Sequence, residues 1–150
     1  MKRVHKWLLM VFVTLASTQC VTTVGDDPTP IPSGVSKTEL LAGKSSRAWI
    51  ITSSKIDGKE ITNQTSTCVR DDNMVFRTDK AYEWNEGLTK CRDKDPQVYE
   101  TGTWGFSTDE TELILNKESR YKLLTLNTTT LKISIKNVFG ETEELTFKSN

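Results

Sequence analysis

From about residue 47 onward, apolar residues recur at every second position in short runs broken by polar turns. The clearest case lies between Cys68 and Cys91. Met74 and Phe76 stand two apart in one run, Tyr82 and Trp84 two apart in the next, and Arg77-Thr78-Asp79-Lys80 separates them. This period of two predicts a β-hairpin with one buried face. A cysteine sits just outside each arm, where a bridge would close the hairpin at its open end.

The same pattern predicts the remaining strands. Residues 47–56 place Trp49 and Ile51 on one face, Asp57-Gly58 is a turn, and residues 59–62 return as a short strand. Residues 64–67 read as a polar connection and 92–96 as a charged loop. Residues 99–106 carry Trp104 and Phe106 on one face. Residues 112–115 follow, then 120–126 with Tyr121, Leu123 and, after a break, Leu126. Residues 130–136 alternate Leu131, Ile133 and Ile135 with polar partners, and 143–148 turn Leu145 and Phe147 inward. Only residues 36–43 predict a helix. Ser36 and Glu39 have capping-box spacing, and Gly43 suits the stop. Short strands at 8–12-residue spacing predict an all-β sandwich or closed barrel. An antiparallel meander that curls shut also leaves no open edge.

The first 35 residues follow other rules. Lys2, Arg3 and Lys6 precede an apolar run from Trp7 to Ala16, and Ser17, Thr18 and Gln19 lead to Cys20. Charge, apolar stretch and small residues stand in the order of a secretory signal peptide, too short to span a membrane; a buried helix is the alternative. Residues 20–35 carry three prolines and two glycines, which predicts a flexible tether. The expected division is a signal at 1–19, a tether at 20–35 and one domain at 36–150.

The segment up to Cys20 resembles a bacterial lipoprotein signal, in which the mature chain begins at a lipid-bearing cysteine. Gln19 departs from the small residue usual before that cysteine, so ordinary cleavage without lipidation is the alternative. With Cys20 assigned to the lipid, Cys68 and Cys91 remain as a pair in an oxidising compartment. A bridge closing residues 69–90 is worth on the order of 3 kcal/mol. A metal site on the two thiolates is the rival reading, but the only histidine, His5, lies in the signal.

Charge narrows the partners. The chain has 20 basic and 20 acidic residues, and losing the three basic residues of the signal leaves the domain mildly acidic. No basic patch interleaved with aromatics appears, which argues against nucleic acid. Without histidine in the mature chain, Ser-His-Asp and Cys-His catalysis are excluded. There is no Gly-rich phosphate loop. Asp71-Asp72 and Glu143-Glu144 are carboxylate pairs. Neighbouring strand residues point to opposite faces, so neither pair should converge. Asp72 is expected to accept backbone hydrogen bonds at a polar strand start. An enzyme, a metal site and a cofactor are not expected.

Taken in order, Gly43-Lys44 with Trp49, Asp57-Gly58, Cys68 with Asp71, Asp72 and Phe76, Tyr82, Gly87, Cys91, Gly102-Thr103-Trp104 and the later leucines resemble the Bacteroidetes-type lipocalin-like lipoproteins. That resemblance covers residues 40–148. It implies an eight-stranded antiparallel up-and-down barrel with a short N-terminal helix. It implies no particular ligand.

The expectation for function is therefore non-catalytic binding. Trp49, Phe76, Tyr82, Trp84, Trp104, Phe106 and Tyr121 are the inward aromatic candidates for a small hydrophobic ligand, with Phe139 on a turn tip as a flap or partner contact. The alternative is a filled barrel acting on a protein or glycan partner of the cell envelope through its loops. The expected form is a monomer held at the outer membrane through Cys20, with a soluble secreted or periplasmic protein as the alternative.

Overall fold

A computed structural model describes residues 34–150. Residues 1–33, including the signal, Cys20 and most of the tether, lie outside the described residues. Helix α1 (Lys37–Ala42) is followed by strand β1 (Ser46–Ile56) and the two-residue β2 (Lys59–Glu60). A 3-10 turn (Thr62–Gln64) and a helical turn α2 (Thr67–Arg70) lead into β3 (Asn73–Arg77) and β4 (Ala81–Asn85). Then come β5 (Val98–Phe106), β6 (Glu112–Leu115), β7 (Ser119–Leu126), β8 (Thr130–Lys136) and β9 (Thr142–Ser149).

Neighbouring strands pair antiparallel from β3 to β9, and β1 pairs both β3 and β9. The sheet thus closes into an eight-stranded up-and-down barrel, with β2 only a short tag on β1. Closure leaves no long edge able to pair with another chain. The wall is built as alternation predicts. Opposed inward pairs include Trp49 with Met74, Phe76 with Tyr82, Trp104 with Leu115, and Leu131 with Phe147. All eight are buried.

The two ends of the barrel differ. One is closed by α1. The Ser36 hydroxyl accepts a hydrogen bond from the Glu39 N–H at 3.1 Å, and Gly43 ends the helix with φ 65°. Leu40, Leu41 and Ala42 are buried against the strand ends. The Trp49 indole donates to the Leu41 carbonyl at 2.8 Å, and Arg47 donates to the Leu40 carbonyl. Lys80 and Lys37 reach from the turns and the helix to Thr38 at 2.9 Å and the Glu110 carbonyl at 2.6 Å, fastening the plug. The last strand also finishes here, with the Asn150 N–H on the Ala48 carbonyl at 3.0 Å.

The other, open end has the 3-10 turn and α2 at its rim, and neither contributes a buried residue. The rim is completed by the Asp57-Gly58 turn, the loop from Glu86 to Gln97, the Asn116–Glu118 turn and the turn from Asn137 to Glu141. Two sequence expectations are corrected here. The strand expected at 59–62 stops at Glu60, because the Glu60 carboxylate turns back to accept hydrogen bonds from Thr62 and Ser53. Those bonds hold its carboxyl down at about 2. The connection expected at 64–67 instead leads into α2, so Cys68 stands in a helical turn rather than at a strand start.

Candidate functional site

The buried half of the barrel is a packed aromatic core. Phe76 meets Trp104 edge-on at 5.8 Å and Tyr82 at 6.2 Å, and Trp104 meets Phe106 at 5.6 Å. The Trp104 indole donates to the Arg77 carbonyl at 2.9 Å, and Lys80 sits 3.9 Å over its ring. Trp49, Phe76, Tyr82 and Trp104 are at most 4 % exposed, so other side chains occupy their faces. Phe106 is partly buried beside them.

Inward residues nearer the open end are less covered. Trp84 lies opposite Met74 and is partly buried, and Tyr121 lies opposite Leu113 in the same condition. Tyr99 joins them. Its ring lies 6.0 Å from that of Trp84, and it is 43 % exposed. A bulge brings it there: Trp84 pairs with Glu100 while Asn85 pairs with Val98, leaving Tyr99 unpaired between them. Sequence alternation alone assigns Tyr99 no role at the site, because the bulge breaks the parity.

Polar groups complete this end. Glu100 lies opposite Trp84 and accepts a hydrogen bond from the Tyr82 hydroxyl, which in turn accepts one from the Asn116 amide at 2.9 Å. Burial raises the Tyr82 phenol above its ordinary range, and the bond to Glu100 adds to it. Glu143 lies opposite Ile135 on one side and Ile56 on the other, hence inward. Burial raises the Tyr121 phenol too, and the charges of Glu100 and Glu143 push it further up.

Asp71 and Asp72 are corrected from the sequence reading. Neither lies in a strand; Asp71 caps α2. It is Asp71 that accepts backbone bonds, from the Leu88 and Thr89 N–H groups at 3.2 and 2.9 Å. Asp72, 7 % exposed, instead accepts the Tyr99 hydroxyl at 2.9 Å through one oxygen, and its other oxygen has no partner. Glu86, 8 % exposed, accepts the Cys91 N–H at 3.3 Å. Cys68 and Cys91 form a disulfide with Cα atoms 5.1 Å apart, and it ties the Glu86–Gln97 loop to α2. Gly87 is required in that loop. Its φ is 59°, and a Cβ there would fall 2.0 Å from the Asp71 carbonyl oxygen.

Burial raises the Asp72 carboxyl above its ordinary value of 3.8, and the charges of Glu86 and Asp71 add to the rise against the Tyr99 bond. A carboxyl raised on folding favours the folded state most while protonated. Its contribution is lost as pH climbs through the raised value. Asp72→Asn, which still accepts the Tyr99 hydroxyl, is expected to melt a few degrees higher than the parent at neutral pH. Below the ordinary aspartate range the two should melt together, which calorimetry across pH would check.

Phe139 is not part of this group. It stands with Val138 on the β8–β9 turn, 83 % and 93 % exposed, and the Asn137 carbonyl oxygen of the side chain accepts from the Phe139 and Glu141 N–H groups to shape the turn. The outer wall carries an open groove of about 620 Å³ lined by Arg120, Lys122, Leu124, Lys136 and Glu144. Both of its carboxylates are bridged, Glu112 to Arg120 at 2.8 Å and Glu144 to Lys132 at 2.6 Å, and Lys136 donates to the Thr142 hydroxyl at 2.8 Å. Among the described residues no group of His, Cys, Asp or Glu is arranged to hold a metal ion, and no helix is long and apolar enough to cross a membrane.

A family model described as a lipocalin-like domain matches residues 47–133, more than half of the chain. The match runs from β1 into β8 and takes in Trp84, Tyr99, Tyr121 and both bridged cysteines. No curated protein matches the chain.

Proposed function

Because this chain belongs to the lipocalin-like domain family, we propose that it is a non-catalytic binding protein that takes a small, largely apolar molecule at the open end of its barrel. The observation that carries the reading is the asymmetry of the interior. The α1 end is filled by Trp49, Phe76, Trp104 and Phe147, whereas Trp84, Tyr99 and Tyr121 keep part of their rings uncovered at the other end. Small barrels accommodate one small ligand where side chains leave room, and aromatic rings supply area at little entropic cost. The order of charge, apolar run and Cys20 at the N-terminus supports a cell-envelope lipoprotein of the Bacteroidetes type, held through a lipid on Cys20.

Native mass spectrometry of residues 28–150, purified from an envelope extract, tests the binding role. A recurring added mass is expected. Trp84→Ala should lose it while keeping a cooperative melt. A parent that is always free of passenger would overturn the reading.

A second reading draws on the rim. Leu88, Val138 and Phe139 are 98 %, 93 % and 83 % exposed on two loops at the open end. Apolar residues on loop tips suit contact with a protein partner of the envelope. A photo-crosslinker at position 139 that yields only background would remove this alternative.

A further inference from the structure

The groove on the outer wall of β6 to β9 owes its shape to strand register. Glu112, Lys122, Ser134 and Glu144 stand opposite one another on four successive strands. Alternation turns them outward, since their neighbours Leu113 and Ile133 are buried inside. Neighbouring strands lie about 4.8 Å apart, so a serine occupies the middle of a row of long charged side chains. Its short side chain is the low point, and the groove of about 620 Å³ opens above it. Two residues along, Arg120 on β7 and Lys136, which pairs with Thr142, belong to the next row toward the open end.

The charge of the groove is lopsided. With Lys132, which bridges its Glu144, it carries four cations against two carboxylates, in a mildly acidic domain. Lys122 is exposed and forms no ion pair among the described residues. Lys136 faces a hydroxyl instead of a carboxylate. Arg120 meets Glu112 through Nη1, and a guanidinium has five N–H donors in all. The Lys132 bond holds the Glu144 carboxyl below its ordinary range, so it stays an ionised acceptor with lone pairs to spare. Charged donors and charged acceptors therefore stand roughly 10 Å apart across two strand spacings, with the Ser134 and Thr142 hydroxyls between or beside them. A bare anion meets two carboxylates here, and an apolar chain finds only Leu124 and Ile135 in the lining. The lining holds no aromatic ring for a nucleobase to stack on. Barrel closure leaves no long strand edge for a peptide to pair with. A molecule that carries both a carboxylate and many hydroxyl groups satisfies both kinds of partner.

We propose that this outer groove binds an acidic sugar, a uronate unit of an oligosaccharide. Lys122, Lys136 and the remaining donors of Arg120 take the uronate carboxylate. Sugar hydroxyls donate to Glu144 and share hydrogen bonds with Ser134 and Thr142, and Leu124 covers the C–H face of a ring. The groove lies on the outside of the wall, so this site is separate from the barrel mouth and does not depend on the molecule proposed to bind there.

Titration of the purified protein, followed through the backbone amide resonances of β6 to β9, tests the site. The probes are two uronate oligosaccharides, trigalacturonate and a hyaluronan tetrasaccharide, with maltotriose as a neutral sugar and tricarballylate as a carboxylate without hydroxyls. At least one uronate probe is expected to shift the amides around Lys122, Ser134 and Lys136, and to bind roughly tenfold more tightly than either control. The Lys122→Gln, Lys136→Gln double variant should lose that advantage while melting with the parent. Ser134→Tyr, which fills the low point, should abolish the shifts. Lys148→Gln removes one positive charge from the same outer wall away from the groove, and it should leave binding in place. Equal binding of maltotriose, or equal binding of tricarballylate, overturns the inference. So does the absence of any shift in β6 to β9 with both uronate probes. None of these results touches the reading of the barrel mouth.

Discussion

Trp49→Ala is expected to cost about 3–5 kcal/mol, the largest loss of any single substitution in this barrel. Trp49 is fully buried, and it does two things at once. Its ring fills the interior opposite Met74, and its indole N–H satisfies the Leu41 carbonyl at the end of α1. Alanine leaves a cavity and strips a buried acceptor of its donor, so both penalties apply. Small domains have about 5–15 kcal/mol in hand, and the variant should sit near the threshold of folding. Urea titration followed by circular dichroism checks the shift. Trp49→Phe separates the contributions. It keeps most of the volume and loses only the hydrogen bond, so its midpoint should fall between parent and alanine variant. Equal midpoints for the two variants would mean that the indole bond, not the packing, dominates.

The second large effect is expected from the disulfide. The double variant Cys68→Ser, Cys91→Ser should lose about 2–4 kcal/mol, because the bridge closes residues 69–90 in the unfolded chain as well as the folded one. The loss should be local as well as global. The Leu88 and Thr89 N–H groups held by Asp71 are exposed and the Cys91 N–H held by Glu86 is part-buried, and all three are loop amides that the bridge keeps near their acceptors. Hydrogen exchange across residues 86–97 should speed up more than exchange in β7 and β8. Reducing the parent with dithiothreitol should reproduce both changes, and an unchanged exchange pattern would show that the loop is held by its acceptors alone.

Much of the barrel was legible because alternation is a direct record of which face is wet. Strands β6 and β8 begin and end where the pattern places them, and the break after Leu123 is the bulge that separates the Leu123 and Thr125 pairs. The helix at α1 was legible from its cap and its glycine stop. The four-residue α2 was not, since one turn of helix has no periodicity to read, and its short polar sequence passes for a loop. That single miss misplaced Asp71 and Asp72.

The open end shows the same split. Trp84 and Tyr121 are plain in the sequence as inward aromatics. Tyr99 is hidden by a bulge, which reverses the parity on which sidedness depends. Glu143 had a usable signal, standing two residues before the inward Leu145, and Glu100 stands four before Trp104. A carboxylate in an inward register is easily passed over because polarity itself suggests the outside. Trp49, Phe76, Tyr82 and Trp104 were correctly inward by alternation, yet alternation does not say which inward rings are stacked against neighbours and which are left uncovered.

The helix that plugs the barrel also gives the molecule a direction. The described chain starts beside α1 and finishes with Asn150 on Ala48, so both of its ends leave from the blind side. The opposite end is ringed by internal segments alone, the connection through α2 and the turns between strands. A resin, a sensor chip or a fused domain attached directly at Gly34 or at Asn150 would therefore leave the opposite end facing the bulk solution.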